Sequence, residues 1–318
     1  MAMEQGMNGM RPKPKLIELG SNLMPSWVAA GWLCYQASWY WSHSPEMHFG
    51  WMVLVLSGFL VTEVATQRAL ARPRWGLLPI FLVVIGVVAL VMFQLYQAAF
   101  GTMPASLMAL AFGVMSIITA NIIAVYGVGA LGTLGFAFYF LLIALPLPSV
   151  VQSLVVSNLQ LFVAFMDAEL LNLMGIPAQR TGAVIQLSNG HVGVDDACSG
   201  FRSLQSSIMS GMFIGFLLFK AWGWRIMLVT VSILLAILGN VGRTLFLCCE
   251  GATKGIESIK GVHDAAGWSV MAFTIAGVGA ASWLGVGAQR RLVRVRKELR
   301  SAGCAVASDL PSRENGLK

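Results

Sequence analysis

The stretch from Gly76 to Tyr96 reads GLLPIFLVVIGVVALVMFQLY and carries no charged side chain. The charge-free sequence continues as far as Met166, without one Asp, Glu, Lys, Arg or His. A run of about 20 apolar residues is long enough to cross a membrane as a helix. Inside lipid, every backbone N–H and C=O must be satisfied within the protein, which a helix does locally. This region therefore predicts several consecutive transmembrane helices.

The composition of the whole chain also indicates a membrane protein. Hydrophobic residues make up 57% of the 318 residues, charged residues 11%, and the mean hydropathy is +0.74. A soluble domain carries about 25% charged residues, because water must wet its surface. The net charge of +7 comes from basic residues in short clusters beside apolar segments. That placement favours an anionic lipid bilayer, and not nucleic acid, as the partner.

Eight apolar segments predict an all-α polytopic membrane protein with about eight transmembrane helices. Basic clusters precede the first segment, separate the second from the third and the sixth from the seventh, and follow the last. Because cytoplasmic loops are enriched in Lys and Arg, we expect both termini to be cytoplasmic. The predicted spans are 25–42, 49–66, 76–96, 104–124, 127–145, 204–221, 226–248 and 266–287. They define an N-terminal cytoplasmic segment (1–24), helices one to five (25–145), a catalytic region with helices six to eight (146–287) and a basic cytoplasmic tail (288–318).

Residues 150–166 (VVQSLVVSNLQLFVAFM) are apolar enough to form a further span. The polar residues Gln152, Asn158 and Gln160, followed by Asp167 and Glu169, favour an interfacial or re-entrant helix instead. A true span here would reverse the sides of everything that follows. The sequence leaves both alternatives open.

A short β-hairpin is predicted between this helix and the sixth span, on the non-cytoplasmic face. Residues 183–187 and 191–194 flank Ser188-Asn189-Gly190, and an Asn-Gly pair favours a tight hairpin turn. Asp195 and Asp196 come next and are expected to cap the following helix, although such a pair can also bind a cation.

Three chemically different side chains are predicted to converge on the non-cytoplasmic face. Cys198 precedes the sixth span, Arg243 lies late in the seventh, and His263 precedes the eighth. Asn240 lies one helical turn before Arg243 on the same face. A thiol, a guanidinium and an imidazole are the components of a cysteine acyl-transfer site. Cys198 would attack a peptide carbonyl, His263 would move the proton, and Arg243 would stabilise the oxyanion.

Each of these residues also has a purely structural interpretation. A cysteine in a membrane protein often packs as a small residue, an arginine in a terminal turn often anchors the helix at the interface, and a histidine can lie in a loop without function. We interpret the other cysteines, Cys34, Cys248, Cys249 and Cys304, as packing residues. No Cys/His set has metal-ligand spacing, so we predict neither metal nor cofactor.

At these residues the sequence resembles the exosortase/archaeosortase family, in its bacterial exosortase type. The matching segments are Ala197-Cys198-Ser199-Gly200-Phe201-Arg202-Ser203-Leu204, Asn240-Val241-Gly242-Arg243, and His263 with Gly267. The resemblance is best between about residues 140 and 285. It implies that Cys198 is the nucleophile, Arg243 the matched arginine and His263 the third member, with Ser199, Gly200 and Asn240 in supporting positions.

The resemblance implies a cysteine peptidase or transpeptidase in the inner membrane of a bacterium that secretes exopolysaccharide. Its partners would be exported proteins with a C-terminal sorting signal of PEP-CTERM type, which consists of a short motif, a transmembrane helix and a basic cluster. A thioester on Cys198 would pass to an unidentified acceptor amine or to water. Three alternatives remain: a polytopic transporter or channel, a lipid-linked glycosyltransferase that uses Asp195 and Asp196, and a non-catalytic assembly factor for exopolysaccharide export.

Overall fold

The computed structural model describes residues 21–66, 75–194 and 200–308, with side chains over 21–64, 75–194 and 200–295. Most residues in these ranges are helical, in agreement with the predicted all-α class. The chain forms two compact units, Met1–Val155 and Val156–Lys318. Among the predicted site residues, Asp195, Asp196, Cys198 and Ser199 lie outside the described residues.

Before the start of α5, the described residues of the first unit form four regular helices and one broken helix. The regular helices are α1 (Met24–His43), α2 (Gly50–Thr66), α3 (Leu77–Phe100) and α4 (Pro104–Tyr126). Helices α3 and α4 approach closely at Gly86 and Gly113, where a Cβ on either glycine would lie 3.0 Å from the other's carbonyl oxygen. Small residues allow this approach, and tight packing is what holds helices together in a membrane.

The broken helix corresponds to the predicted fifth span and has irregular hydrogen bonding. Irregular turns leave carbonyl groups without intrahelical partners, and in lipid such groups must be satisfied by the protein. The Ser57 hydroxyl donates to the carbonyl oxygen of Ala137, and Trp41 Nε1 donates to that of Ala144, each at 2.7 Å. The segment consists of a 3-10 turn (Val128–Ala130), a π turn (Leu131–Gly135), an α turn (Phe136–Tyr139) and a second 3-10 turn (Phe140–Ala144).

The second unit is built from antiparallel helices that carry a small sheet. Its helices are most of α5 (Ser149–Leu173), then α6 (Phe201–Leu218), α7 (Trp222–Lys254) and α8 (Ile259–Ser308). A Cβ on Gly211 of α6 would lie 2.6 Å from Ser232 Oγ, and one on Gly277 of α8 would lie 2.8 Å from the Leu235 side chain. These contacts place the start of α6, the end of α7 and the start of α8 at one end of the unit.

The sheet has three antiparallel strands in the order β1-β2-β3: β1 (Ala178–Thr181), β2 (Val184–Leu187) and β3 (Gly190–Gly193). The predicted hairpin is confirmed as β2 and β3, while β1 was not predicted. One face of the sheet is apolar because alternate side chains of β2 and β3 point the same way. Ile185, Leu187 and Val192 on that face pack in one cluster with Val241 and Cys248 of α7.

Five helices in the described ranges are long and apolar enough to cross a membrane, so the chain is a multi-pass membrane protein. The predicted count of eight spans is not confirmed. Two further apolar helices, Gly50–Val64 and Val128–Ala144, are shorter, and α1 and α6 carry more polar residues. The five helices are Leu77–Phe100, Pro104–Tyr126, Ser149–Leu173, Trp222–Lys254 and Ile256–Val295.

Helix α5 differs from the interfacial helix that the sequence favoured for residues 150–166. It continues to Leu173, and its length and composition suit a span. Asp167, which we took as a sign of an interfacial position, has no exposed surface and lies on the buried face of α5 with Val163 and Leu171. Its carboxyl group therefore does not meet lipid, whereas Asn158 and Glu169 on the same helix are exposed. Both alternatives for residues 150–166, interfacial and spanning, stay open.

Candidate active site

Gly200 positions the beginning of α6 against α7. It is the N-cap residue of α6 and has φ +81°, a left-handed conformation that glycine adopts without steric cost. A Cβ at this position would lie only 2.6 Å from Cγ of Asn240. Asn240 is itself 2% exposed, so it has no room to move away. Only glycine fits, and the chain two residues beyond Cys198 is held on the face of α7 that carries Asn240.

We predicted that Asp195 and Asp196 cap α6. Both residues lie outside the described part of the chain, so this stays a prediction. Helix α6 begins at Phe201 with Gly200 as its cap residue, which has no side chain to cap the first turn. The Ser203 hydroxyl donates to the carbonyl oxygen of Gly200 at 2.8 Å, which closes the turn locally. The first amides of α6 have no intrahelical acceptors and point out of the N-terminal end of the helix.

Arg243 and His263 meet across the interface between α7 and α8. The Nη2 atom of Arg243 lies 3.0 Å from Nε2 of His263. A guanidinium has only donors, so in this hydrogen bond Nε2 accepts and carries no proton. The neutral imidazole then holds its proton on Nδ1, which lies 3.3 Å from Oδ1 of Asp264. The contacts thus assign the Nδ1–H tautomer to His263.

His263 lies on α8 and not in a loop before it. The helix begins at Ile259, whereas the sequence predicted a span that starts at 266. Gly267 is one turn after His263 on the same helix face, and a Cβ there would lie 3.9 Å from Nη2 of Arg243. Because a helix fixes the direction of its side chains, the imidazole is presented to Arg243 from a rigid support. Its side chain is 37% exposed, which leaves it accessible to a substrate.

An apolar groove between α7 and α8 lies beside this pair, and Arg243 forms part of its wall. The groove has a volume of about 560 Å³. Gly242 opens onto it, since a Cβ there would meet nothing within 4 Å. A charge in apolar surroundings is screened less than in water, so Arg243 acts strongly on any group bound there. The remaining lining residues are Leu238, Gly239, Phe246, Val262, Ala265, Ala266, Ser269, Val270 and Phe273.

The structure brings together Gly200, Asn240, Arg243 and His263, four of the six residues that the sequence singled out. Cys198 and Ser199 are outside the described part, so their place in the site stays a prediction. Asn172 was not predicted from the sequence. Its Nδ2 donates to the carbonyl oxygen of Ala178 and its Oδ1 accepts from the Ala178 amide, both at 2.9 Å. The only sign of this contact in the sequence is that Asn172 lies near the end of an apolar helix, shortly before the sheet.

Fold and site together define a multi-pass membrane protein with a polar, partly exposed site at one end of its second unit. Comparison with protein families matches residues 41–280 to the transmembrane exosortase family (Exosortase_EpsH). The chain belongs to that family, as its motifs around Cys198, Arg243 and His263 predicted. Members are membrane proteins that process exported proteins with sorting signals. No curated protein and no solved structure matches the chain.

Proposed function

We propose that this protein is a membrane-embedded cysteine peptidase or transpeptidase that cleaves C-terminal sorting signals through a thioester on Cys198. The observation that carries the proposal is the hydrogen bond between Arg243 and His263, beside the contact of Gly200 with Asn240. Consecutive Cα atoms are 3.8 Å apart, so the Cα of Cys198 lies within about 7.6 Å of that of Gly200. The thiol is therefore tethered to the α7 face on which Asn240 and Arg243 lie.

The reaction would begin with attack of Cys198 Sγ on the carbonyl carbon of the scissile amide. A C–S bond forms, and Nε2 of His263 accepts the thiol proton, since an imidazole exchanges protons readily near neutral pH. The tetrahedral intermediate collapses, the C–N bond breaks, and His263 returns the proton to the leaving amine. Cys198 then holds the exported protein as a thioester. An amine would resolve it by transpeptidation and water by hydrolysis.

Arg243 would change partners during this reaction. Before substrate binds, its Nη2 hydrogen occupies the lone pair of His263 Nε2, the same lone pair that must take the thiol proton. An oxyanion is a better acceptor for a guanidinium than a neutral imidazole, because the hydrogen bond then joins two charges. Arg243 would therefore turn to the developing oxyanion and release Nε2 for proton transfer.

Basic residues of the second unit support a non-cytoplasmic position for the site. Lys220 and Arg225 lie at the turn from α6 to α7, where Phe219 packs against Gly285 of α8, and Arg290 follows in α8. This end is opposite the Arg243–His263 pair, and Lys and Arg accumulate on the cytoplasmic side. The C-terminal tail would then be cytoplasmic, in the inner membrane of a bacterium. With the eight crossings that the sequence predicts, the N terminus would also be cytoplasmic.

The substrate would be an exported protein whose tail consists of a motif, a transmembrane helix and a basic cluster. Its helix would lie beside α7 and α8, its basic cluster at the cytoplasmic end, and its motif at the level of Arg243. The apolar groove would receive the residues next to the scissile bond. Holding the substrate in the same bilayer raises its effective concentration at the site.

A processing assay in cells tests this proposal. A reporter carries the tripartite tail of an exported protein encoded in the same genome, and its cleavage is followed by immunoblot. Cys198→Ala should abolish cleavage while the enzyme stays in the membrane, and Cys249→Ala serves as the matched control with wild-type cleavage. Normal cleavage by Cys198→Ala would refute the nucleophile assignment. If Asp195→Asn lost activity while Cys198→Ala kept it, the result would indicate the glycosyltransferase alternative.

A further inference from the structure

Strand β3 has an edge that no described strand covers. Val194 N–H donates to the carbonyl oxygen of Ala183 at 2.9 Å, so these opposite residues form a hydrogen-bonded pair. In an antiparallel ladder such pairs alternate with pairs that do not exchange hydrogen bonds. By this alternation His191 and Gly193, opposite Gln186 and Val184, direct their N–H and C=O groups away from β2. No hydrogen bond from another described residue reaches those outward groups.

The opposite edge of the same sheet is covered by a side chain. At Ala178 of β1, the amide of Asn172 pairs with the outward N–H and with the outward C=O, as a neighbouring strand would do. Proteins usually block exposed strand edges, since an open edge pairs with other chains. Asn172 thus closes the β1 edge at Ala178, whereas no described residue makes such a contact with the outward groups of β3.

The open edge is also accessible and precedes the proposed nucleophile by only a few residues in the chain. His191 and Gly193 are both exposed, while Val192 between them is buried. A depression of about 450 Å³ lies on the polar face of the sheet, next to Gln186 and His191. Beyond Gly193 the chain reaches Cys198 within five residues, a span of at most about 17 Å.

We propose that the sorting motif of the substrate binds as a fourth strand along the β3 edge, with its scissile bond carried toward Cys198. This inference rests on the proposed function and adds how the motif is recognised. Added strands gain affinity from main-chain hydrogen bonds and specificity from pockets for alternate side chains. The outward N–H and C=O groups of His191 and Gly193 supply the main-chain hydrogen bonds. The depression beside Gln186 supplies a pocket for alternate side chains. The occupant is an extended peptide of about five residues, not a helix.

Proline substitution tests the edge directly, because proline lacks only the backbone N–H and is tolerated where that group points outward. Gly193→Pro removes one donor from the β3 edge and leaves the β2–β3 bonds intact. We expect Gly193→Pro to process the tripartite-tail reporter about tenfold more slowly than Gly193→Ala, which keeps the N–H. The matched control is Arg180→Pro, which removes an outward N–H from β1 and should stay within about twofold of wild type. Equal rates for Gly193→Pro and Gly193→Ala would overturn the proposal.

A crosslinking experiment separates docking from catalysis. In the Cys198→Ala protein, a cysteine at His191 is paired with single cysteines placed along the reporter's motif, and disulfides are formed by mild oxidation. Neighbouring strands place alternate side chains on the same face, so crosslinks should appear at every second motif position. Uniform or absent crosslinking would contradict strand addition. An alternating pattern together with normal cleavage by Cys198→Ala would retain the docking site and reject the proposed nucleophile.

Discussion

Arg243 and His263 are 20 residues apart in the chain, yet Nη2 of the first lies 3.0 Å from Nε2 of the second. Two antiparallel helices create this contact, because the end of α7 and the start of α8 lie side by side. The pair joins a permanent cation to a base in the tautomer that can accept a proton at Nε2. Such a combination suits a reaction in which a thiol loses a proton while a negative charge develops nearby.

Replacement of His263 should separate proton transfer from folding. His263→Gln keeps an acceptor for Arg243 but cannot carry a proton, so we expect kcat for reporter cleavage to fall by about 10² to 10⁴ with normal insertion. Asp264→Asn should change kcat by less than about threefold, because the Asp264 side chain is 96% exposed and exposed ion pairs contribute little. The kcat of both variants is to be measured by cleavage kinetics in proteoliposomes. A His263→Gln enzyme as fast as wild type would exclude the proton-transfer role.

Gly200→Ala should damage the site through the backbone. The new Cβ would lie 2.6 Å from Asn240, and φ +81° costs a non-glycine residue about 1 kcal/mol. We expect a lower thermal-unfolding temperature and at least a tenfold loss of cleavage. Gly279→Ala on α8 is the control, since a Cβ there meets nothing within 4 Å. Equal stability and activity of the two variants would show that Gly200 does not set the position of α6.

The groove between α7 and α8 can be filled without disturbing the packing of the protein. A Cβ at Gly242 meets nothing within 4 Å, so Gly242→Leu should insert and unfold like wild type. Its side chain would occupy the space beside Arg243, and we expect KM for the reporter to rise about tenfold or more. Gly279→Leu, which lies outside the groove, provides the comparison. An unchanged KM in Gly242→Leu would place the substrate elsewhere.

Several of these features could be predicted from the sequence and others could not. Long apolar runs determine which segments can cross lipid, and the Asn-Gly turn predicted the β2–β3 hairpin. The start of α8 was placed too late because Lys260, His263 and Asp264 are polar, although one exposed helical face accommodates them. The burial of Asp167 in α5 could not be predicted, since it depends on partners distant in sequence. The packing of Gly200 on Asn240 is likewise a tertiary contact, which no local pattern contains.

The orientation of the protein in the membrane is tested by labelling two positions of one helix. In a chain without other cysteines, we introduce Lys260→Cys near the start of α8 or Arg291→Cys near the end of its apolar part, both at exposed positions. A membrane-impermeant maleimide added to cells with a permeabilised outer membrane should label position 260 and not position 291. The positive-inside distribution gives this expectation. The reverse labelling would put the site in the cytoplasm and remove exported proteins as substrates.

The most direct measurement is a search for the thioester on Cys198. Purified enzyme in proteoliposomes is mixed with the tripartite-tail reporter, quenched in acid, and analysed by gel electrophoresis and peptide mass spectrometry. Our account predicts an enzyme–reporter adduct that hydroxylamine releases, that maps to Cys198, and that is absent from Cys198→Ala. Reporter cleavage by Cys198→Ala at the wild-type rate, or an adduct on another residue, would contradict it.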